Sequence, residues 1–158
     1  MKQTKEKETI IVRGIAFFPT VEDDKFSTRI LLREKAMEKI QNICNEIGED
    51  IATKDIEFDD KSYYSINVKT SYAIPIFDVN GNQINADKED YQIYHGADAL
   101  FKIILKRYEY KEKGKRFSKT GVSAYLLGTT IIKQGEPYQS STTFDEFENL
   151  LDDEEIQF

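Results

Sequence analysis

Two stretches of the chain alternate apolar and polar residues for longer than a helix could tolerate, and they dictate a sheet. In Asp98–Tyr110, Phe101, Ile103 and Leu105 fall on one side while Lys102, Ile104, Lys106, Tyr108 and Tyr110 fall on the other. In Ser62–Asp78, Tyr64, Ile66, Val68, Thr70, Tyr72 and Ile74 alternate with Tyr63, Ser65, Asn67 and Lys69 until Pro75 demands a bend or an edge. A period of two belongs to a strand, whose successive side chains point to opposite faces. Three further segments read the same way. Ile10–Phe18 is β-branched and aromatic and runs up to Pro19, Phe26–Arg33 sets Phe26, Thr28, Ile30 and Leu32 against Arg29 and Arg33, and Val122–Lys133 closes the series. Asn80-Gly81 marks a turn, because that pair accepts positive φ.

One segment keeps a different period. Met37, Ile40, Ile43, Cys44 and Ile47 recur at spacings of three and four, with Gly48 placed to end a helix over Glu34–Ile47. Cys44 is expected in the core of that helix, where a thiol acts as a small hydrophobe. About five strands and one helix suit a small, curved, mostly antiparallel barrel or sandwich. The 158 residues allow one domain plus a tail. We place a disordered N-terminus over 1–9, the folded domain over 10–140 and an acidic tail over 141–158.

The net charge of −7 conceals a segregation. Thr142–Phe158 holds seven acids and no base, so residues 1–141 carry 22 acids against all 22 bases and are neutral. Within them, Ala99–Lys133 holds nine bases and two acids. Blocks of this kind mark interaction segments more often than chance unevenness. The strand Asp98–Tyr110 and the loop that follows it interleave cations with aromatic rings. That suits single-stranded nucleic acid, since cations neutralise phosphates and flat rings stack on unpaired bases. The candidate DNA-binding residues are Arg29, Tyr63, Lys69, Tyr94, Lys102, Lys106, Arg107, Tyr108, Tyr110, Lys113, Lys115, Arg116, Phe117 and Lys119. A solvated hairpin with snorkelling lysines is the plainer reading of the same strand. In the tail, Asp152, Asp153, Glu154 and Glu155 would steer toward a basic pocket, with Ile156 and Phe158 as apolar anchors for a protein partner.

Other chemistries find little support. One cysteine and one histidine leave almost no zinc chemistry, and neither a metal nor a cofactor is expected. The pairs Asp23-Asp24 and Asp59-Asp60 could hold a divalent cation, but adjacent carboxylates in turns are usually solvated. His95 has no cysteine or second histidine to act beside, so a structural or surface role is expected. Lys119-Thr120-Gly121 lacks the serine–lysine motif of β-lactamases, and Gly114-Lys115 lacks the earlier glycine of a phosphate loop. No apolar run reaches 18 residues and the first nine are polar, so neither membrane nor export is expected.

Three segments in order, Arg13–Pro19, Ile93–Ala99 and Lys119–Leu126, resemble the opening, middle and closing parts of phage-encoded single-stranded DNA-binding proteins of the OB-fold type. The resemblance covers most of residues 10–135. Asp152–Phe158 is similar to the acidic, Phe-terminated tails of such proteins, with Gln157 where the bacterial form carries a proline. The resemblance implies a mainly β, five-stranded OB-like antiparallel barrel with one inserted helix and a flexible acidic tail. It also implies single-stranded DNA binding with little sequence preference, in phage replication and recombination and in the cytoplasm of the infected host. No catalysis and no cofactor are implied, and the tail would recruit replication or recombination enzymes. A homodimer is one assembly such a chain could form. The competing readings are an acidic-tailed protein-interaction or DNA-mimic module without DNA affinity, and a metal nuclease built on Asp59 and Asp60.

Overall fold

The computed structural model describes residues 5–22, 25–85, 91–111, 113–114 and 118–136. Their order is β1 (Lys7–Glu22), β2 (Lys25–Leu32), α1 (Glu34–Ile47), β3 (Lys54–Phe58), β4 (Lys61–Thr70), β5 (Ile76–Phe77), β6 (Asp98–Lys111) and β7 (Ser118–Lys133). The strands lie in the order β3-β4-β2-β1-β6-β7-β5. A parallel pairing of Val68 with Ala124 and Lys69 with Tyr125 joins β4 to β7 and closes β1, β2, β4, β7 and β6 into a barrel. Every other pairing around that ring is antiparallel. The fold is therefore mainly β, a five-stranded barrel of OB type, with β3 and β5 as additions at its margins.

Alternation fills the interior. Val12, Ala16, Phe26, Ile30, Ile66, Val68, Phe101, Ile103, Leu105, Ala124 and Leu126 are all buried in one cluster. Each large aliphatic or aromatic side chain there contributes about 1.5–3 kcal/mol from removal from water. Gly14 faces the same interior, and a Cβ there would lie 2.3 Å from Ile30 Cγ2 and 2.8 Å from the Leu31 carbonyl oxygen. Only glycine leaves room for β2 to cross so closely. Helix α1 has the expected bounds and buries Met37, Ile40, Ile43, Cys44 and Ile47. It packs against β1, β4 and β6. Gly48 ends it at φ 86°, its N–H donating to the Cys44 carbonyl at 2.8 Å.

The structure corrects several boundaries. β1 starts at Lys7, inside the segment expected to be disordered, because β6 continues to Lys106 and offers a partner for Lys7. It also passes Pro19. Phe17 pairs with Arg29 and Thr20 with Ser27, so three steps on β1 match two on β2, and the extra residue forms a bulge that absorbs the proline. Ser62–Asp78 breaks into β4 and the two-residue β5, with Pro75 in the gap. β3 was not anticipated. Asp59 and Asp60, both at positive φ (52° and 61°), form the two-residue turn that folds β3 back onto β4.

Candidate nucleic-acid interface

The closing seam sets the site. Across the barrel's outer surface, Lys69 of β4 lies beside Tyr125 of β7, which lies beside Ile104 of β6. Toward the β6–β7 turn the same face continues through Lys106 opposite Ser123, Tyr108 opposite Gly121 and Tyr110 opposite Lys119. Past Arg107, β6 pairs among the described residues with β7 alone, so the last rungs form a two-stranded arm. Lys102 is exposed on the same side of β6.

Contacts within the row fix the rings. The Lys69 ammonium sits 5.6 Å from the Tyr125 ring centroid, a cation–π geometry. The Tyr108 ring covers Gly121 so closely that a Cβ there would lie 2.7–2.9 Å from its Oη, Cε1 and Cζ atoms. Tyr110 is 58% exposed and presents most of its ring to solvent. Among the described residues, Lys69, Lys102, Lys106 and Lys119 enter no ion pair. Such a row offers cations for phosphates and flat rings for bases, alternating over one strip.

Lys69, Lys102, Lys106, Tyr108, Tyr110 and Lys119 therefore come together, and Lys113 is exposed at the arm's turn. Others of the expected set lie elsewhere. Arg107 has the opposite parity; its guanidinium is 3.6 Å from Glu49 and 3.8 Å from Glu109, tying the arm to the end of α1. Thr120 supports that anchor by donating to Glu49 at 3.0 Å. Arg29 is half-buried and donates to Ser65 Oγ at 3.0 Å. Tyr63 is only 8% exposed, with Leu31 and Ile15 near it, and has little ring face left for a base. Tyr94 lines a separate hollow with Phe18 and His95. Lys115, Arg116 and Phe117, and the tail residues Asp152, Asp153, Glu154, Glu155, Ile156 and Phe158, lie outside the described residues.

Two features escaped the sequence reading. Tyr125 completes the aromatic row, and its alternation with buried Ala124 and Leu126 was the available signal. On the outer face of β1, a cavity of about 350 Å³ gathers Arg13, Arg33, Lys35 and Lys39 over Ile15, Leu31 and Tyr63. Asp98 is its one acid among the described residues. Arg13 donates to both Asp98 oxygens, at 3.0 and 2.7 Å, and these bonds hold the carboxyl below the usual carboxylate range, with Arg33 and Lys133 adding to the effect. Its four cations come from β1, from the residue before α1 and from the helix itself, a convergence that no local pattern announces. Among the described residues, no three His, Cys, Asp or Glu side chains gather as a metal site would require. No helix among them is long and apolar enough to cross a membrane.

Sequence comparison matches no protein-family model and no curated protein. Solved structures do match. The single-stranded DNA-binding protein of bacteriophage Enc34 superposes with a TM-score of 0.59 at 17% identity, over 93% of this chain and 97% of that one. The gp2.5 single-stranded DNA-binding protein of bacteriophage T7 gives 0.57 at 10% identity, over 96% and 98%. The Enc34 protein in complex with single-stranded DNA gives 0.52 at 18% identity, over 84% and 88%. The fold is the one these phage proteins share.

Proposed function

We propose that this chain binds single-stranded DNA with little sequence preference and without catalysis. The observation that carries the reading is the strip of Lys69, Tyr125, Lys102, Lys106, Tyr108, Tyr110 and Lys119. It places four lysines, without ion-pair partners among the described residues, and three tyrosine rings on the outside of an OB-type barrel whose fold is that of phage single-strand binders. Each stacked base is worth about 1–3 kcal/mol, and the rings do not discriminate sequence because every base has a flat face.

The finer reading places the protein in phage DNA replication and recombination, with the acidic segment Asp152–Phe158 recruiting enzymes of those processes. The longer stretch Thr142–Phe158 that contains it holds seven acids, equal in size to the excess positive charge of Ala99–Lys133, which supports competition between that stretch and DNA for the basic arm. Removal of residues 142–158 is expected to tighten DNA binding at low salt; unchanged affinity would remove the competition. Removal of Phe158 is expected to spare DNA binding and weaken enzyme recruitment.

The deciding experiment is a titration of a labelled single-stranded oligonucleotide at several salt concentrations, with duplex of the same sequence as control. Preferential, salt-sensitive binding of the single strand is expected. Absence of affinity in both the intact and the truncated chain would leave the acidic interaction module as the function. Cleavage abolished by a chelator would instead indicate a nuclease.

A further inference from the structure

A hollow of about 330 Å³ opens at the β1 bulge, walled by Phe18, Pro19, Thr20, Ile93, Tyr94 and His95. Its construction is unusual. Phe18 has φ 49°, a left-handed backbone that a bulky side chain rarely adopts, and yet its ring is 59% exposed. A buried ring could repay such a conformation by packing, but this one is lifted into solvent. Strained residues of this kind are held in place by their surroundings and cluster where ligands are gripped. Here the surroundings can be named. The Phe18 N–H donates to His95 Nδ1 at 3.0 Å, so the neutral imidazole keeps its proton on Nε2. The two rings lie 4.5 Å apart at 34°, while Phe17 and Phe58 meet His95 from other sides at 5.2 and 5.6 Å. Gly96 N–H donates to the Ala16 carbonyl and Ala16 N–H to the Ala97 carbonyl, which fastens the His95 segment to β1 just before the bulge.

Charge narrows the occupant. Arg13, on the same face of β1 as Phe17 and four residues before it, stands about 13 Å away along the strand. It opens the cavity holding Arg33, Lys35 and Lys39, where Asp98 is the one acid among the described residues. An aromatic hollow beside a cationic groove fits a ligand that carries flat apolar units on an anionic chain. A duplex, with its bases stacked inside, cannot offer them. Resting on the proposed single-strand binding, we infer that the Phe18–Tyr94–His95 hollow receives one unstacked nucleobase. The strand's phosphates then run toward Arg13 and Arg33, over the outer face of β1, where Ile11 borders Lys102 of the lysine–tyrosine strip.

The chain contains no tryptophan, so Phe18→Trp installs a single fluorophore at the site. Its emission is expected to fall by about half or more on adding a single-stranded oligodeoxynucleotide, because the indole stacks on the base. It should stay unchanged with an abasic strand of equal length. Phe18→Ala is expected to weaken binding about 5- to 150-fold, while Phe18→Tyr restores it. If Phe18→Trp binds the labelled oligonucleotide by anisotropy but its emission does not respond, the hollow is not a base site and single-strand binding stands. If the wild-type chain itself fails to bind, the functional reading falls and the site with it.

Discussion

Replacing Lys69 and Lys106 together with glutamine removes two of the four lysines of the strip that enter no ion pair among the described residues. Each phosphate neutralised on a single strand contributes about 0.7 to the slope of log affinity against log salt. Four lysines then account for a slope of about 2.8, which is about a 50-fold loss of affinity when salt rises fourfold. The double variant keeps about 1.4, or a sevenfold loss over the same range. Arg107→Gln is the internal control. Its guanidinium is engaged by Glu49 and Glu109, so the slope should not move, while stability falls by up to about 1 kcal/mol, as for a part-exposed pair. The assay is fluorescence anisotropy of a labelled oligonucleotide across that salt range, with urea midpoints for each variant. A double variant with the wild-type slope, or an Arg107→Gln protein that loses slope as the lysine variant does, would refute the assignment of the strip.

Three further outcomes follow from the packing. Gly135→Ala puts a Cβ 2.3 Å from the His95 carbonyl oxygen, 2.6 Å from that of Tyr94 and 2.7 Å from the Ala97 nitrogen. All three are backbone atoms, so thermal unfolding should show a loss of about 1–3 kcal/mol; an unchanged melting temperature would mean the segment yields freely. Cys44 is fully buried and burial pushes its thiol up, so a disulfide reagent at mild alkaline pH should react only as urea unfolds the protein. The Asp98 carboxyl is held low by Arg13, so its contribution is present above the ordinary carboxylate range and lost as pH falls through the depressed value. Asp98→Asn should therefore lower the urea midpoint at neutral pH and converge with wild type in acid; a constant difference would mean the ion pair contributes nothing.

The readable parts of this fold were those where one periodicity decided the matter. Helix α1 matched residue for residue because five apolar positions and Gly48 agreed. The core row Phe101, Ile103 and Leu105 followed from alternation, and that same parity placed Lys102, Lys106, Tyr108 and Tyr110 outside. Where several elements meet, one strand's pattern was not enough. β3, Lys-Asp-Ile-Glu-Phe, is a short marginal strand with charges at three of five positions, and its alternation of Ile56 and Phe58 with Asp55 and Glu57 spans too few residues to declare a strand. Its return onto β4 helps bury Ser65, whose hydroxyl donates to the Lys54 carbonyl at 2.6 Å, and so costs that side of β4 its expected exposure. Arg107 reads in the sequence as one cation among many, because its partner Glu49 lies 58 positions away. Phe18 and His95 are 77 residues apart and meet only because β1 bulges where the 94–97 segment crosses it.

The parallel seam between β4 and β7 has a consequence for how the molecule is made. It joins Val68 to Ala124 and Lys69 to Tyr125, residues 56 positions apart, and the last barrel strand is one side of it. Contacts so distant in sequence slow folding, because the intervening chain must be ordered before they repay the cost. Until β7 emerges from the ribosome, β6 presents one unpaired edge along its length and β4 one at Val68 and Lys69, a template for joining another chain. Truncation before Ser118 should therefore yield aggregates rather than a smaller barrel. Ser118–Lys133 acts as the keystone strand, protecting the nascent chain as well as shaping its surface.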